Sequence, residues 1–209
     1  MADRYITLAK AAEAEIVEKK SVFIAYAARA TTEEEAQAII RERSKQFADA
    51  THNVYAYYLR GGAVARYSDD GEPQGTSGIP TLNVLKMSGA DDLCVVVTRY
   101  FGGTLLGAGG LVRAYSAAAR AAIEAAGLAV FDRFVILRVS CTYSEYQKLQ
   151  HELEKLHAIV DGVQYGANVD VTFAVRHDKS EAVQGRITEM FSSRAAIEIL
   201  GERYDTEPI

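Results

Sequence analysis

Between Leu93 and Ile123 the chain holds no acidic residue, yet it carries Arg99, Arg113 and Arg120. The same stretch contains Gly102, Gly103, Gly107, Gly109 and Gly110, five of the protein's sixteen glycines. A β-branched run, Val95-Val-Val-Thr98, precedes the glycines, and an alanine-rich segment follows them. That order predicts a strand, a glycine loop and a helix. Glycine lets backbone approach a ligand closely, and free N–H groups at a helix start attract an anion. Arg99 and Arg113 would contact phosphate, with Tyr100 or Phe101 stacking on a base. The competing reading is a tightly packed helix–sheet junction that holds no ligand.

A second polar segment, Arg66-Tyr-Ser-Asp-Asp-Gly-Glu-Pro-Gln-Gly-Thr-Ser-Gly78, is a loop on its Gly, Pro, Ser and Asp content alone. As a binding surface it would offer Arg66, Ser68, Thr76 and Ser77. Otherwise Asp69, Asp70 and Glu72 are turn formers and solvated charges, and three acids without a second ligand group make a weak site for a hard cation. His52, within Asp49-Ala-Thr-His-Asn-Val-Tyr55, stands at a strand entrance. It is a candidate general base or a hydrogen-bonded structural histidine. The Arg66–Gly78 loop and the Arg99–Arg113 segment are expected to converge on one face.

The remaining composition narrows the class. The 209 residues allow one large or two small domains, and 49% apolar with 24% charged residues is ordinary for a globular chain. Net charge is −5, of which residues 1–133 carry −1 and residues 134–209 carry −4. A generally basic nucleic-acid binder is excluded, whereas a local basic patch on the first part is not. No apolar stretch approaches the roughly 20 residues that span a bilayer, and the first residues lack the layout of a signal peptide. Cys94 and Cys141, each in an apolar strand-like run, are expected as free buried thiols in the cytoplasm. The four histidines show no ligand spacing, so neither metal nor cofactor is expected.

Periodicity supplies the elements that must carry these residues. Ala14–Val17 and Val22–Ala28 read as a hairpin. A helix begins at Thr31-Thr32, with Glu34 and Glu35 placed for a capping box. Asn53–Arg60 and Val64–Tyr67 flank Gly61-Gly62 as a second hairpin. Ile79–Met87 is a short helix behind Pro80, and Leu111–Ala126 a longer one capped by Gly127. From about Phe134 the order becomes strand Val135–Cys141, helix Ser144–His157, strands Ile159–Tyr165 and Val169–Val175, helix Glu181–Phe191 and strand Ala196–Leu200. That βαββαβ order is the ferredoxin-like arrangement. The expected fold is therefore α+β with two domains, 1–132 and 133–209, meeting near Asp132.

These segments carry a resemblance. Lys19-Lys-Ser-Val-Phe-Ile-Ala25, Thr51-His-Asn-Val-Tyr-Ala-Tyr57, Arg66–Gly78, Val97-Thr-Arg-Tyr-Phe-Gly-Gly103 and Leu106-Gly-Ala-Gly-Gly-Leu-Val-Arg-Ala-Tyr-Ser116 resemble the YigZ/IMPACT family over essentially the full chain. The resemblance implies a first domain of the ribosomal protein S5 domain 2-like type. It also implies a second domain similar to the last domain of elongation factor G. Eukaryotic members bind the activator of a translation-control kinase and carry an N-terminal RWD domain, for which no segment here matches. For the bacterial branch the resemblance implies a link to nucleic acid or translation.

The leading expectation is a non-enzymatic cytoplasmic protein, off the membrane, that engages RNA, the ribosome or a translation factor through its first domain. A regulatory protein partner without nucleic acid is one alternative. Small-molecule phosphoryl transfer is another, since Gly107-Ala-Gly-Gly-Leu-Val112 resembles the phosphate loop of kinases sharing the S5-like fold. That loop lacks the Lys and Ser/Thr of a Walker A motif.

Overall fold

The computed structural model describes residues 4–191 and 196–208, so the reading of the first three residues as no signal peptide falls outside the described residues. The chain divides into two compact units, Tyr5–Val130 and, with Arg4, Phe131–Glu207. The first strand, β1 (Tyr5–Leu8), has no counterpart in the sequence expectations, because four residues are too few to show a period. β2 (Ala12–Glu18) and β3 (Ser21–Arg29) form the first hairpin. Lys19 and Lys20 both take positive φ, 46° and 67°, as a type I′ turn requires.

Helix α1 (Glu33–Gln46) follows, and the Thr32 hydroxyl accepts the Glu35 N–H at its start. The Glu35 carboxylate reaches back to the Thr31 N–H, one residue further than a regular capping box. β4 (His52–Leu59) and β5 (Val64–Ser68) make the second hairpin, and α2 (Gly78–Met87) begins with Pro80 in its first turn. β6 (Leu93–Tyr100) then enters between the hairpins, giving the order β2-β3-β6-β4-β5 with every pair antiparallel. α3 (Ala108–Ala126) closes the unit and ends on Gly127 at φ 66°.

Both faces of this sheet are covered. Leu93, Val95 and Val97 of β6 pack with Phe23 and Ala25 of β3 against α2 and α3. The alternate residues Cys94 and Val96 pack with Tyr57 against Ala36 and Ile40 of α1. β6 is buried on both sides, which is why it reads as an unbroken apolar run. The alanines of α3 (Ala114, Ala118, Ala119, Ala122) let the helix lie close on the sheet.

The second unit is built from β7 (Leu128–Cys141), α4 (Tyr143–Lys155), β8 (Ile159–Tyr165), β9 (Val169–Arg176), α5 (Ser180–Met190) and β10 (Ala196–Pro208). β9 lies between β7 and β8, and β10 pairs with the other side of β7. This is the ferredoxin-like βαββαβ topology. Leu149 and Leu153 of α4 and Val183 and Ile187 of α5 share one core with Leu137, Val171 and Phe173 of the sheet. Two elements are longer than expected. β7 starts seven residues before Val135 and runs through Asp132, and β10 continues to Pro208. The β10 extension is rich in charged residues, and in the β7 extension Asp132-Arg133 interrupt the apolar run, which hides a strand from a search for apolar alternation.

Candidate functional site

Sheet register assembles the site. Phe23 of β3, Arg99 of β6 and His52 of β4 lie in one cross-strand row. Residues opposite one another point to the same face, so this row meets α3, where Tyr115 packs edge-on against Phe23 with ring centroids 5.2 Å apart. The loop is shorter than the expected Arg66–Gly78, because Arg66–Ser68 end β5 and Gly78 opens α2. Residues 69–77 fold over the end of the row and deliver Glu72, whose side chain is 3% exposed.

Glu72 Oε1 accepts from Arg99 Nη1 at 2.6 Å and from the Tyr115 hydroxyl at 2.7 Å. Arg99 Nη2 donates to Ser21 Oγ at 3.3 Å, and its guanidinium lies over the rings of Phe23 and Phe101. Burial, followed by the adjacent Glu72 carboxylate, pushes the Tyr115 phenol well above its ordinary value, so it stays a donor. His52 Nδ1 donates to the Asp70 carbonyl at 2.7 Å, and Nε2 stands 3.8 Å from Glu72 Oε2. A carbonyl can only accept, which fixes the proton on Nδ1.

Asp69 organises the loop itself. Its carboxylate accepts from the N–H groups of Gly75, Ser77 and Gly78 at 2.9, 3.1 and 2.7 Å, and from Ser77 Oγ at 2.7 Å. Burial works to raise Asp69, but these four donors outweigh it and hold the carboxyl below its ordinary value. Thr76 and Ser77 are buried, and the Thr76 hydroxyl donates to the Pro73 carbonyl. Their hydroxyls serve the loop. Ser68 is half-buried and accepts the Asp70 N–H, while Arg66 is exposed and bonds its neighbour Ala65.

The glycine loop begins where β6 ends. The Tyr100 hydroxyl donates to Asp49, which raises its pKa, and Phe101 is 46% exposed. Gly102 packs flat on the β2–β3 turn: a Cβ there would lie 2.0 Å from the Lys20 carbonyl carbon. Its N–H donates to Ser21 Oγ. Gly103 and Gly107 take positive φ, and Gly107 precedes α3 with no side-chain cap. Gly109 and Gly110 lie inside α3 and not in the loop, so the helix starts three residues before Leu111. Its first turn holds no acid. Arg113 is exposed and folds back so that Nη1 comes within 3.6 Å of a Cβ built on Gly109. Among the described residues Arg113 has no ion-pair partner.

The two arginines of the sequence reading therefore differ. Arg99 has no acidic neighbour in sequence but a buried one in space, and it stands in the core beside the loop. Arg113 is exposed at the helix start, and Lys19 and Lys20, outside the expected site, border Gly102. The sequence reading took Glu72 for a turn former and solvated charge, whereas it is buried and paired, and it did not single out Tyr115. A signal for Glu72 existed: an arginine near the end of a strand that opens on the apolar run Leu93–Val97 needs a buried acid, and the nearest polar loop holds three. Among the described residues no group of three or more His, Cys, Asp or Glu could hold a metal ion.

Comparison with known proteins adds the family. Residues 19–123 match the Impact N-terminal domain, and residues 139–194 match a domain of unknown function, DUF1949. The chain is 37% identical to the IMPACT family member YvyE of Bacillus subtilis over 94% of its own length and 91% of that protein. With YigZ of Escherichia coli it shares 30% identity over 92% of this chain and 96% of the relative. The IMPACT homologue of Dictyostelium discoideum is 39% identical over 44% of this chain, only 28% of that longer protein. A crystal structure titled only as that of a hypothetical protein superposes with a TM-score of 0.61 at 26% identity, covering 94% of this chain and 97% of the other. The Impact match spans β3, the second hairpin, the Asp69 loop, Arg99 and the glycine loop, and on these findings the chain belongs to the IMPACT family.

Proposed function

We propose that this IMPACT-family chain is a non-enzymatic cytoplasmic binding protein that engages RNA, or a translation component bearing RNA, through its first unit. The observation that carries the reading is the start of α3. A 19-residue helix begins there with no side-chain cap and no acid in its first turn, beside an exposed Arg113. Unpaired N–H groups with a cation beside them favour a phosphate. Phe101, exposed and backed by the Arg99 guanidinium, offers a stacking face next to it. No described helix is long and apolar enough to cross a membrane, and the two buried free thiols suit a reducing compartment.

The test is titration of labelled single-stranded RNA at two salt concentrations. Arg113→Ala should weaken binding by about 1–3 kcal/mol and make the salt dependence shallower. Lys148→Ala, on α4 in the second unit, serves as control, since Lys19 and Lys20 border the loop. Equal affinity and salt slope in Arg113→Ala, with the fold intact, sinks the reading. A protein partner without nucleic acid is the second reading, favoured by Leu105, an apolar side chain 82% exposed in the glycine loop. It predicts capture of the same partner from nuclease-treated extract.

A further inference from the structure

The far end of α3 carries a different surface. Where α2 and α3 both end, an open groove of about 590 Å³ is lined by Val84, Met87, Ile123 and Leu128, with Arg120 and Glu124 among its walls. Ile123 is buried, and Val84 and Leu128 are half-buried against the core, so the floor is fixed. Met87 is 82% exposed, an unbranched and adaptable apolar side chain without cover.

The charges are unsatisfied as well. Arg120 and Glu124 are exposed, one turn apart on α3, and neither has an ion-pair partner among the described residues, each other included. Glu124 sits in the last turn of a helix that has no basic residue there, facing the negative end of the helix dipole. It calls for a cation from outside the helix. Arg120 calls for an anion at the same spacing.

We propose that this groove is a self-association surface, occupied by a second copy of the chain. α3 packs antiparallel to α3 of the other copy about a twofold axis passing between Arg120 and Glu124. A twofold contact uses one patch twice, so the patch must hold both knob and hole. Here Met87 of each copy enters the groove of the other. Antiparallel packing sets Arg120 of each copy against Glu124 of the other, which completes two ion pairs and supplies the missing cation at each helix end. The small side chains of Ala117 and Ala121, on the outward side of α3, admit a close neighbour.

Sedimentation velocity of the nuclease-treated full chain over a concentration series tests this. The unmodified chain dimerises reversibly. Arg120→Glu and Glu124→Arg each raise the dimer dissociation constant at least about tenfold, by setting like charges together. The double reversal, which restores opposite charges, returns it to within about threefold. Met87→Glu weakens the dimer independently. All three substituted side chains face solvent, and an unchanged melting profile verifies the fold. A chain that stays monomeric throughout overturns the proposal, whether another protein or a small ligand fills the groove. So does a dimer that ignores the single reversals, or a double reversal that fails to rescue.

Discussion

Arg99 and Arg113 look alike in sequence, and the fold gives them opposite work. Arg99 is a buried cation held by Glu72, with side chains 6% and 3% exposed. Removing one partner leaves the other charge stranded in the core, so Arg99→Ala should destabilise the protein by roughly 3–5 kcal/mol. Glu72→Gln should cost less, because the amide oxygen still accepts from Tyr115. Urea unfolding midpoints, with Arg113→Ala as a neutral comparison, check both. That a strand, a glycine turn and a helix follow one another here was legible from the residue order. Which arginine faces outward was not, because the neutralising acid lies 27 positions away on another loop. Local charge spacing carries no information about such a partner. The thiols were legible: Cys94 and Cys141 are free and buried, and burial pushes Cys94 up to about 12.

At the level of elements, the loop between β5 and α2 is a closed object organised by one carboxylate. Its composition identified it as a loop, but not that Thr76 and Ser77 face inward, since a turn-forming residue and a ligand-binding one look the same in sequence. Asp69 titrates below the ordinary carboxyl value when folded. The ionised form is thus the one the fold prefers, and its contribution is complete above the unfolded value near pH 4. It is lost as pH falls through the lower folded value. Amide exchange at Gly75, Ser77 and Gly78 should accelerate in that acid window relative to amides in β6. In Asp69→Asn that local pH dependence should vanish. Hairpins and helices were legible because turn residues and apolar periods mark them. The ends of β7 and β10 were not, since charged residues interrupt the pattern there: Arg133 pairs with Glu202, and Asp132 with Arg176.

For the molecule as a whole, the change of rhythm near Phe134 correctly signalled a new topology. It gave no hint that the connection is itself a strand. β7 continues from Leu128 through Arg133 to Cys141, with Phe134 in register with Arg176 of β9. A paired backbone resists a protease that needs an extended, accessible segment. Limited trypsin treatment should therefore leave Arg133 intact while exposed sites between strands, such as Lys10, are cut. Early cleavage at Arg133 would show that the junction opens readily.

The order of the first sheet has a consequence for synthesis. β6 occupies its centre, but it leaves the ribosome after β2, β3, β4 and β5. At about 5–20 residues per second, the β2–β3 hairpin waits several seconds with the β3 edge bare, and β4 waits beside it. Each of those edges later bonds to β6 along most of its length. A nascent chain that stalls before Leu93 therefore presents two apolar hairpins with nothing to join them, a state open to pairing with other chains. Completion of a single strand ends that exposure on both sides at once.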